Sequence, residues 1–293
     1  MAALRSLLIV LLVATSTVLH VVPLLAASLL KAVLPSRRLR RASDPLVTGI
    51  AESWIGVNSW AIDRLTPTRV VIGMDATLRR DGHYLMLANH QSWVDILVLQ
   101  KVFNQRIPFM RFFLKRQLFW VPLLGLAWWA LDFPFMGRYS KKEIARRPEL
   151  AGRDIAATRR ACEKFCEIPV TIVNFVEGTR FTPAKHARQE RAYRHLLRPK
   201  SGGVAFVLDA MGDALHAILD VTLAYPGGRP SLVDLVAGRV GEVRVHVRER
   251  AIPPELVTGD YQNDRAFRAR FQQWMNGLWA QKDEDVERLL APR

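Results

Sequence analysis

Cysteine is nearly absent: the 293 residues contain two. Cys162 and Cys166 stand four apart in a segment that reads as helix, where they share one face and would close only a strained disulfide. A disulfide scaffold is therefore excluded, and two buried thiols in a reduced setting are expected. No second Cys or His pair stands nearby at ligand spacing, so no metal site is expected. Acidic residues are outnumbered, 27 Asp and Glu against 42 Lys and Arg, which leaves a net charge of +15 and a pI near 10.6. Such a chain is drawn to anions. Zinc-finger spacing, an aromatic RNP-like block and a long Lys/Arg tract are all missing, and half of the residues are hydrophobic. Nucleic acid is set aside on those grounds, and a membrane surface or a phosphorylated ligand remains. The absence of internal repeats and of low-complexity linkers excludes a repeat array and a disordered tail, and favours one large domain.

Charge is missing altogether between Ser6 and Leu30. As a helix, that run is long enough to cross the ~30 Å hydrocarbon core of a bilayer. Pro23 and His20 interrupt it, because proline removes a mid-helix hydrogen bond and imidazole is costly in hydrocarbon, so a spanning helix and a tilted or hairpin in-plane helix both fit. A secretory signal is the rival, with Arg5 as its basic start and Ala26, Ala27 and Ser28 as the processing site. The run is long for a signal, and Arg37, Arg38, Arg40 and Arg41 follow it. By the positive-inside bias that cluster keeps the downstream chain on the cytoplasmic side of the inner membrane.

Beyond it, Asp44 to Arg64 reads as a helix with Ile50, Trp54, Val57 and Ala61 at helical spacing. Then "RVVIGMD", "HYLMLAN", "PFMRFFLK", "DFPFMG", "PVTIVNFV", "HAILDVTLAY" and "EVRVHVRE" read as strands, while "SWVDILVLQKVF" and Arg153 to Glu167 read as helices. Alternation of this kind predicts an α/β domain with a mixed, mainly parallel sheet flanked by helices. The stretch "RQLFWVPLLGLAWWALDFP" carries Trp120, Trp128 and Trp129 and reads equally as core helix and as membrane-interface segment.

Asn89-His90-Gln91-Ser92-Trp93-Val94-Asp95 falls where a strand ends and a helix begins. In that geometry Asp95 can reach back to one nitrogen of His90, hold the tautomer and leave the other nitrogen as a general base. Taken alone, the pair is better described as a capping histidine and a helix-start aspartate, and it is the second loop that shifts the balance toward chemistry. No G-x-S-x-G elbow accompanies it, so the base would act on a substrate hydroxyl. A second loop, Val176-Glu177-Gly178-Thr179-Arg180, follows the apolar strand "PVTIVNF", at the strand end where ligand crevices of open α/β sheets form. Gly178 allows left-handed backbone, Thr179 offers a hydroxyl, and Arg180 can grip a phosphate with two hydrogen bonds.

In this order and spacing the two loops resemble the glycerolipid acyltransferase family that includes the 1-acylglycerol-3-phosphate acyltransferases. Its N-H-x-x-x-x-D motif is met by Asn89, His90 and Asp95, and its F-x-E-G-T-R motif by Phe175, Glu177, Gly178, Thr179 and Arg180. A third match, "DFPFMGRYS", carries over to Gly137 and Arg138. The family's fourth motif has a proline in an apolar strand, whereas "ALHAILDVTLAYP" has none before the strand's centre, which is nearer the lysocardiolipin and eukaryotic-type lysophosphatidic acid acyltransferase branch.

The resemblance implies a membrane-bound enzyme that moves a fatty acyl group from acyl-CoA or acyl carrier protein to the hydroxyl of a lysophospholipid, with no metal or other cofactor. It implies His90 as base, Asp95 as its partner, and backbone N–H groups at the helix start as oxyanion donors. Asn89, Arg138, Glu177, Gly178, Thr179 and Arg180 would bind the acceptor, with Lys115, Arg116, Lys141 and Lys142 adding to the pull on anions. Lysocardiolipin or glycerol-3-phosphate as acceptor, and a non-catalytic lipid-binding protein, are the alternatives. The expected division is 1–36 membrane anchor, 37–67 basic linker and helix, 68–254 acyltransferase domain and 255–293 a C-terminal amphipathic helix region, which either packs on the domain or lies on the membrane.

Overall fold

Strand segments of period two and helical segments alternate after residue 68, and in the computed structural model they assemble as one sheet covered by helices on both faces. The structure describes residues 2–137, 139, 141–147, 149 and 152–292. Arg138 lies outside the described residues, as do the side chains of Arg37, Arg41, Lys141 and Lys142.

The N-terminal third opens with α1 (Ala2–Val33), α2 (Arg37–Ala42) and α3 (Asp44–Leu65). Next come β1 (Arg69–Asp75), β2 (His83–Ala88), α4 (Val94–Phe103), β3 (Met110–Phe112), β4 (Leu114–Lys115), a 3₁₀ turn at Arg116–Trp120, α5 (Leu124–Ala130), β5 (Phe135–Met136) and α6 (Lys141–Arg146). The remainder is α7 (Arg153–Phe165), β6 (Val170–Phe175), α8 (Pro183–Arg188), α9 (Gly202–Met211), β7 (Ala217–Ala224), α10 (Leu232–Val236), β8 (Glu242–Arg250) and α11 (Arg265–Leu290).

Six strands form the main sheet in the order β1-β8-β7-β2-β6-β3, and every neighbouring pair is parallel except β7 with β8. The sheet is therefore mixed and mainly parallel. Alternation along β2 explains its central place: Tyr84, Met86 and Ala88 pack toward one face with α3 and α4, while Leu85 and Leu87 pack toward the other with α7, α9 and α11. Register sets Ala88 opposite both Phe175 of β6 and Val221 of β7, so the chain leaves these three strands at one edge of the sheet.

Three expectations need correction or completion. "PFMRFFLK" is not one strand: Met110–Phe112 joins the main sheet, and after Phe113 the chain turns so that Leu114–Lys115 pairs with Phe135–Met136 in a separate two-stranded sheet. Cys162 is buried, and burial pushes its thiol up to about 12, but Cys166 is exposed because α7 ends at Phe165 and the chain turns away from the core. The C-terminal helix packs: Phe271, Met275, Trp279 and Val286 of α11 are buried in the core on the second face of the sheet.

Helix α1 lies along the domain. Its 32 residues span about 48 Å at 1.5 Å per residue, with contacts to α3, α5 and α10 along the way. Near its start Arg5 donates to the Ala237 carbonyl at 2.6 Å, and farther along Val21 and Leu24 enter the main core. Its other side stays bare, with Leu4, Leu8, Leu11, Leu19 and Leu30 exposed. Trp120 and Trp129, 80% and 62% exposed, add to that surface from the 3₁₀ turn and α5.

Candidate active site

The site grows out of the edge where β2, β6 and β7 end. Asn89 extends the sheet by side chain rather than backbone: its Nδ2 donates to the Leu223 carbonyl at 2.9 Å and its Oδ1 accepts from Leu223 N–H at 2.8 Å. It is fully buried and straps β2 to β7 with both ends of its amide. One residue on, the chain turns and presents His90, with Asp95 in the first turn of α4.

Asp95 has no exposed surface. Its Oδ2 accepts from His90 Nδ1 at 2.8 Å, Gln91 N–H at 2.7 Å and Ser92 N–H at 2.9 Å. With Asp95 as a carboxylate these contacts are all donated to it, and the neutral imidazole tautomer that donates from Nδ1 keeps the Nε2 lone pair free. The His90 ring stacks on Phe175 at 4.0 Å and 16°, which fixes its plane. Three of the N–H groups around the helix start are engaged within the protein: Gln91 and Ser92 N–H serve Asp95, and Val94 N–H serves Ser92 Oγ at 3.0 Å. A carboxylate at a helix start caps the very groups that would otherwise face a substrate.

The second loop is bound to the first. His90 N–H donates to Glu177 Oε1 at 2.9 Å, Phe181 N–H to His90 O at 2.8 Å, and Val176 N–H to Ala88 O at 3.3 Å. The other carboxylate oxygen of Glu177 accepts from Leu197 N–H at 3.0 Å. Glu177 is 1% exposed, and burial pushes its carboxyl up to about 8 against the pull of those N–H groups and of Lys282. Both oxygens are occupied inside the protein, so Glu177 ties three loops together and does not face the crevice. Gly178 has φ of +67° and its missing Cβ leaves room for Lys200, so the turn requires glycine.

Thr179 and Arg180 complete the second loop beside the first. Lys185 of α8 donates to Thr179 Oγ1 at 2.6 Å and to the Arg180 carbonyl at 3.0 Å. The Arg180 guanidinium lies 4.5 Å from the Trp93 ring centre, beside the first loop. Burial, then the nearby charges of Arg180, Lys115 and Lys200, hold the Lys185 ammonium below its usual value. Across the loop, Arg229 donates to Gln91 Oε1 and covers Phe181 at 3.7 Å, while Tyr225 at the end of β7 donates to Asp95 Oδ1 at 2.5 Å.

Asn89, His90, Asp95, Glu177, Gly178, Thr179 and Arg180 thus converge, although Asn89 and Glu177 serve as fasteners. Sequence reasoning passed over Lys185, Lys200, Tyr225 and Arg229. For Lys185 a signal existed: Thr182 followed by Pro183 starts a helix, and the Thr182 hydroxyl does accept from Lys185 N–H, turning that residue back toward Thr179. Among the described residues no cluster of three or more His, Cys, Asp and Glu side chains is placed to hold a metal ion.

A mainly parallel sheet with a histidine–aspartate pair and a Glu-Gly-Thr-Arg turn at adjoining strand ends defines the class, and the Acyltransferase family matches residues 69–225, more than half of the chain. The chain belongs to that family. It is similar to 1-acyl-sn-glycerol-3-phosphate acyltransferase 3 of Arabidopsis thaliana, 26% identical over 247 residues that cover 78% of this chain and 60% of that protein. It is also 26% identical to lysocardiolipin acyltransferase 1 of Danio rerio over 260 residues, 78% of this chain and 62% of the relative. Against human 1-acyl-sn-glycerol-3-phosphate acyltransferase gamma it is 27% identical over 221 residues, 71% and 54% of the two chains. The chain therefore spans between about half and two thirds of the length of these curated relatives. Its fold is shared with the crystal structure of the 1-acyl-sn-glycerophosphate acyltransferase PlsC from Thermotoga maritima, with a TM-score of 0.56 at 17% identity, covering 100% of this chain and 99% of the other.

Proposed function

We propose that this protein is a membrane-bound O-acyltransferase that moves a fatty acyl group from an acyl thioester, acyl-CoA or acyl carrier protein, to the free hydroxyl of a lysophospholipid, with 1-acyl-sn-glycerol-3-phosphate as acceptor and phosphatidic acid as product. The observation that carries this reading is the 2.8 Å bond from His90 Nδ1 to the buried Asp95 carboxylate, which leaves Nε2 as a base, while Ser92, the hydroxyl in the same motif, is buried and donates to the Pro230 carbonyl. Nε2 takes the acceptor's hydroxyl proton while the oxygen attacks the thioester carbonyl. The tetrahedral intermediate collapses, the C–S bond breaks, and the imidazolium returns its proton to the departing thiolate. Asp95 stabilises the imidazolium. Arg180, Lys185 and Lys200 hold the acceptor's phosphate beside Thr179, and no metal or redox cofactor enters the reaction.

The bare apolar side of α1, continued by Trp120 and Trp129, rests on the bilayer. Contacts with the domain at both Arg5 and Leu24 favour a helix lying in the membrane plane over one crossing it, and favour its retention over removal as a signal. The basic run after α1 favours the anionic cytoplasmic face of the inner membrane for the domain.

The test is His90→Ala in membranes lacking background activity. Turnover should fall by ~10²- to 10⁴-fold, the usual worth of general base catalysis, while folding and vesicle binding persist. Near-normal turnover would remove His90 from the mechanism. One second reading has an observation behind it: the likeness to a lysocardiolipin acyltransferase. Assay with a panel of lysolipid acceptors and both donors separates the two. A purely lipid-binding role is disfavoured, since binding makes no use of a base held by a buried carboxylate.

A further inference from the structure

Asp95 receives four donors, and three come from within five residues of it in sequence. These three crowd onto Oδ2. The fourth, on Oδ1, is the hydroxyl of Tyr225 at 2.5 Å, which arrives from the end of β7, 130 residues away. Tyr225 is 5% exposed, and burial together with the Asp95 charge pushes its hydroxyl well above the usual tyrosine value. It therefore stays protonated and remains a donor. Other ionisable groups reach the same loops by different routes. Glu177 from the β6 loop takes His90 N–H, Arg229 from the turn after β7 bonds Gln91, and Lys282 from α11 bonds the Leu87 and Val221 carbonyls. Tyr225 alone of these is bonded to Oδ1.

We propose that Tyr225 is a positioning residue of the His90–Asp95 pair, its hydroxyl orienting the carboxylate so that Oδ2 faces Nδ1 and drawing off part of its charge, which sets how strongly His90 holds a proton on Nε2. The inference rests on the reading of His90 as the base. A carboxylate pinned on one oxygen only can swing about its Cβ–Cγ bond, and a donor on the second oxygen removes that freedom. Charge shared with the phenol is charge not felt by the imidazolium. Loss of the phenol therefore makes His90 more basic, and a stronger phenolic donor makes it less so.

The experiment follows the His90 imidazole by nitrogen-15 NMR in the full chain in detergent micelles, beside the pH dependence of kcat/KM. In Tyr225→Phe the pH at which the imidazole titrates should rise by about half a unit to one unit, the size expected when one neutral hydrogen bond to a carboxylate is lost. The acidic limb of kcat/KM should move upward with it. Replacing Tyr225 by 3-fluorotyrosine, whose phenol is more acidic, should shift both downward. If Tyr225→Phe fails to fold, the fluorotyrosine protein, changed by one atom, carries the test alone. An imidazole that titrates as in the parent protein, with only thermal stability altered, would overturn the proposal and make Tyr225 a packing residue. The imidazole titration needs no turnover, so it stands or falls separately from the acyl-transfer reading.

Discussion

Two groups of cations lie close to the same strand ends and are treated in opposite ways by the fold. Lys282 of α11 is wholly buried, paired with Asp220, and donates to the Val221 carbonyl at 2.7 Å, and Arg250 donates to the same Asp220 at 2.8 Å. Here buried charge is matched by charge and by carbonyls, as desolvation demands. Arg180, Lys185 and Lys200 cluster at the crevice, and no carboxylate among the described residues lies within ion-pair distance of them. Lys185 instead spends its donors on a hydroxyl and a carbonyl, which leave its charge unbalanced. The paired group holds α11 to the sheet. The unpaired group keeps its charge uncompensated within the protein, as the proposed phosphate site requires.

That contrast is broken most forcefully from the paired side. Lys282→Met leaves Asp220 with Arg250 alone and should cost about 3 to 5 kcal/mol of stability, read as a drop in denaturation midpoint; adding Asp220→Leu should restore much of it. If the single change were silent, the buried pair would have no structural weight.

Glu177 sharpens the comparison through pH. Its carboxyl is raised to about 8 in the folded chain, above its ordinary 4.5. The folded state therefore holds the proton more tightly, and the contribution present below pH 4.5 is lost progressively as the pH rises to about 8. Glu177→Gln cannot titrate. Its stability deficit against the parent should therefore narrow, by something on the order of a few kcal/mol, between pH 5 and 8, as thermal scans at several pH values will record.

On the unpaired side, Arg180→Ala should lose about 10- to 100-fold in kcat/KM, equivalent to one charge-assisted contact of ~1.5 to 3 kcal/mol, and only with phosphorylated acceptors. Arg180→Lys keeps the charge but not the planar fork and should fall between. Equal loss with a phosphate-free monoacylglycerol would reassign Arg180 to shaping the loop through Trp93. The smallest effect belongs to Lys185→Gln, which retains a donor for Thr179 while removing a charge from a cluster already repelling itself. A fall of about 2- to 5-fold in kcat/KM, fading at high salt, is expected.

Much of the site was legible because its parts are local. The six residues from His90 to Asp95 cover one strand-to-helix turn, and local geometry returns a carboxylate at that offset to the imidazole. Glu-Gly-Thr-Arg was legible as a loop after an apolar strand. What its glutamate does was not, because Glu177 takes N–H groups from His90 and Leu197, which reach it only once β2 lies beside β6. Two of the N–H groups at the start of α4 were hidden for a related reason: the same aspartate that holds His90 also caps those of Gln91 and Ser92.

From the sequence alone came the α/β alternation, the apolar N-terminal helix, the pairing of His90 with Asp95, and the positive balance of charge. Period, charge and short-range spacing are properties of neighbouring residues, and they survive in a one-dimensional reading. Only the tertiary structure decided that Tyr225 completes the shell of Asp95, that Lys185 and Lys200 join Arg180, that α11 drives Lys282 beneath the strand ends, and that α1 lies against the domain at both Arg5 and Leu24. Lys185 apart, which lies five positions from Arg180, these contacts join residues far apart in the chain, 130 positions for Tyr225 with Asp95 and 232 for Arg5 with Ala237. Strand order and register set them, and many different long-range pairings are compatible with the same local pattern.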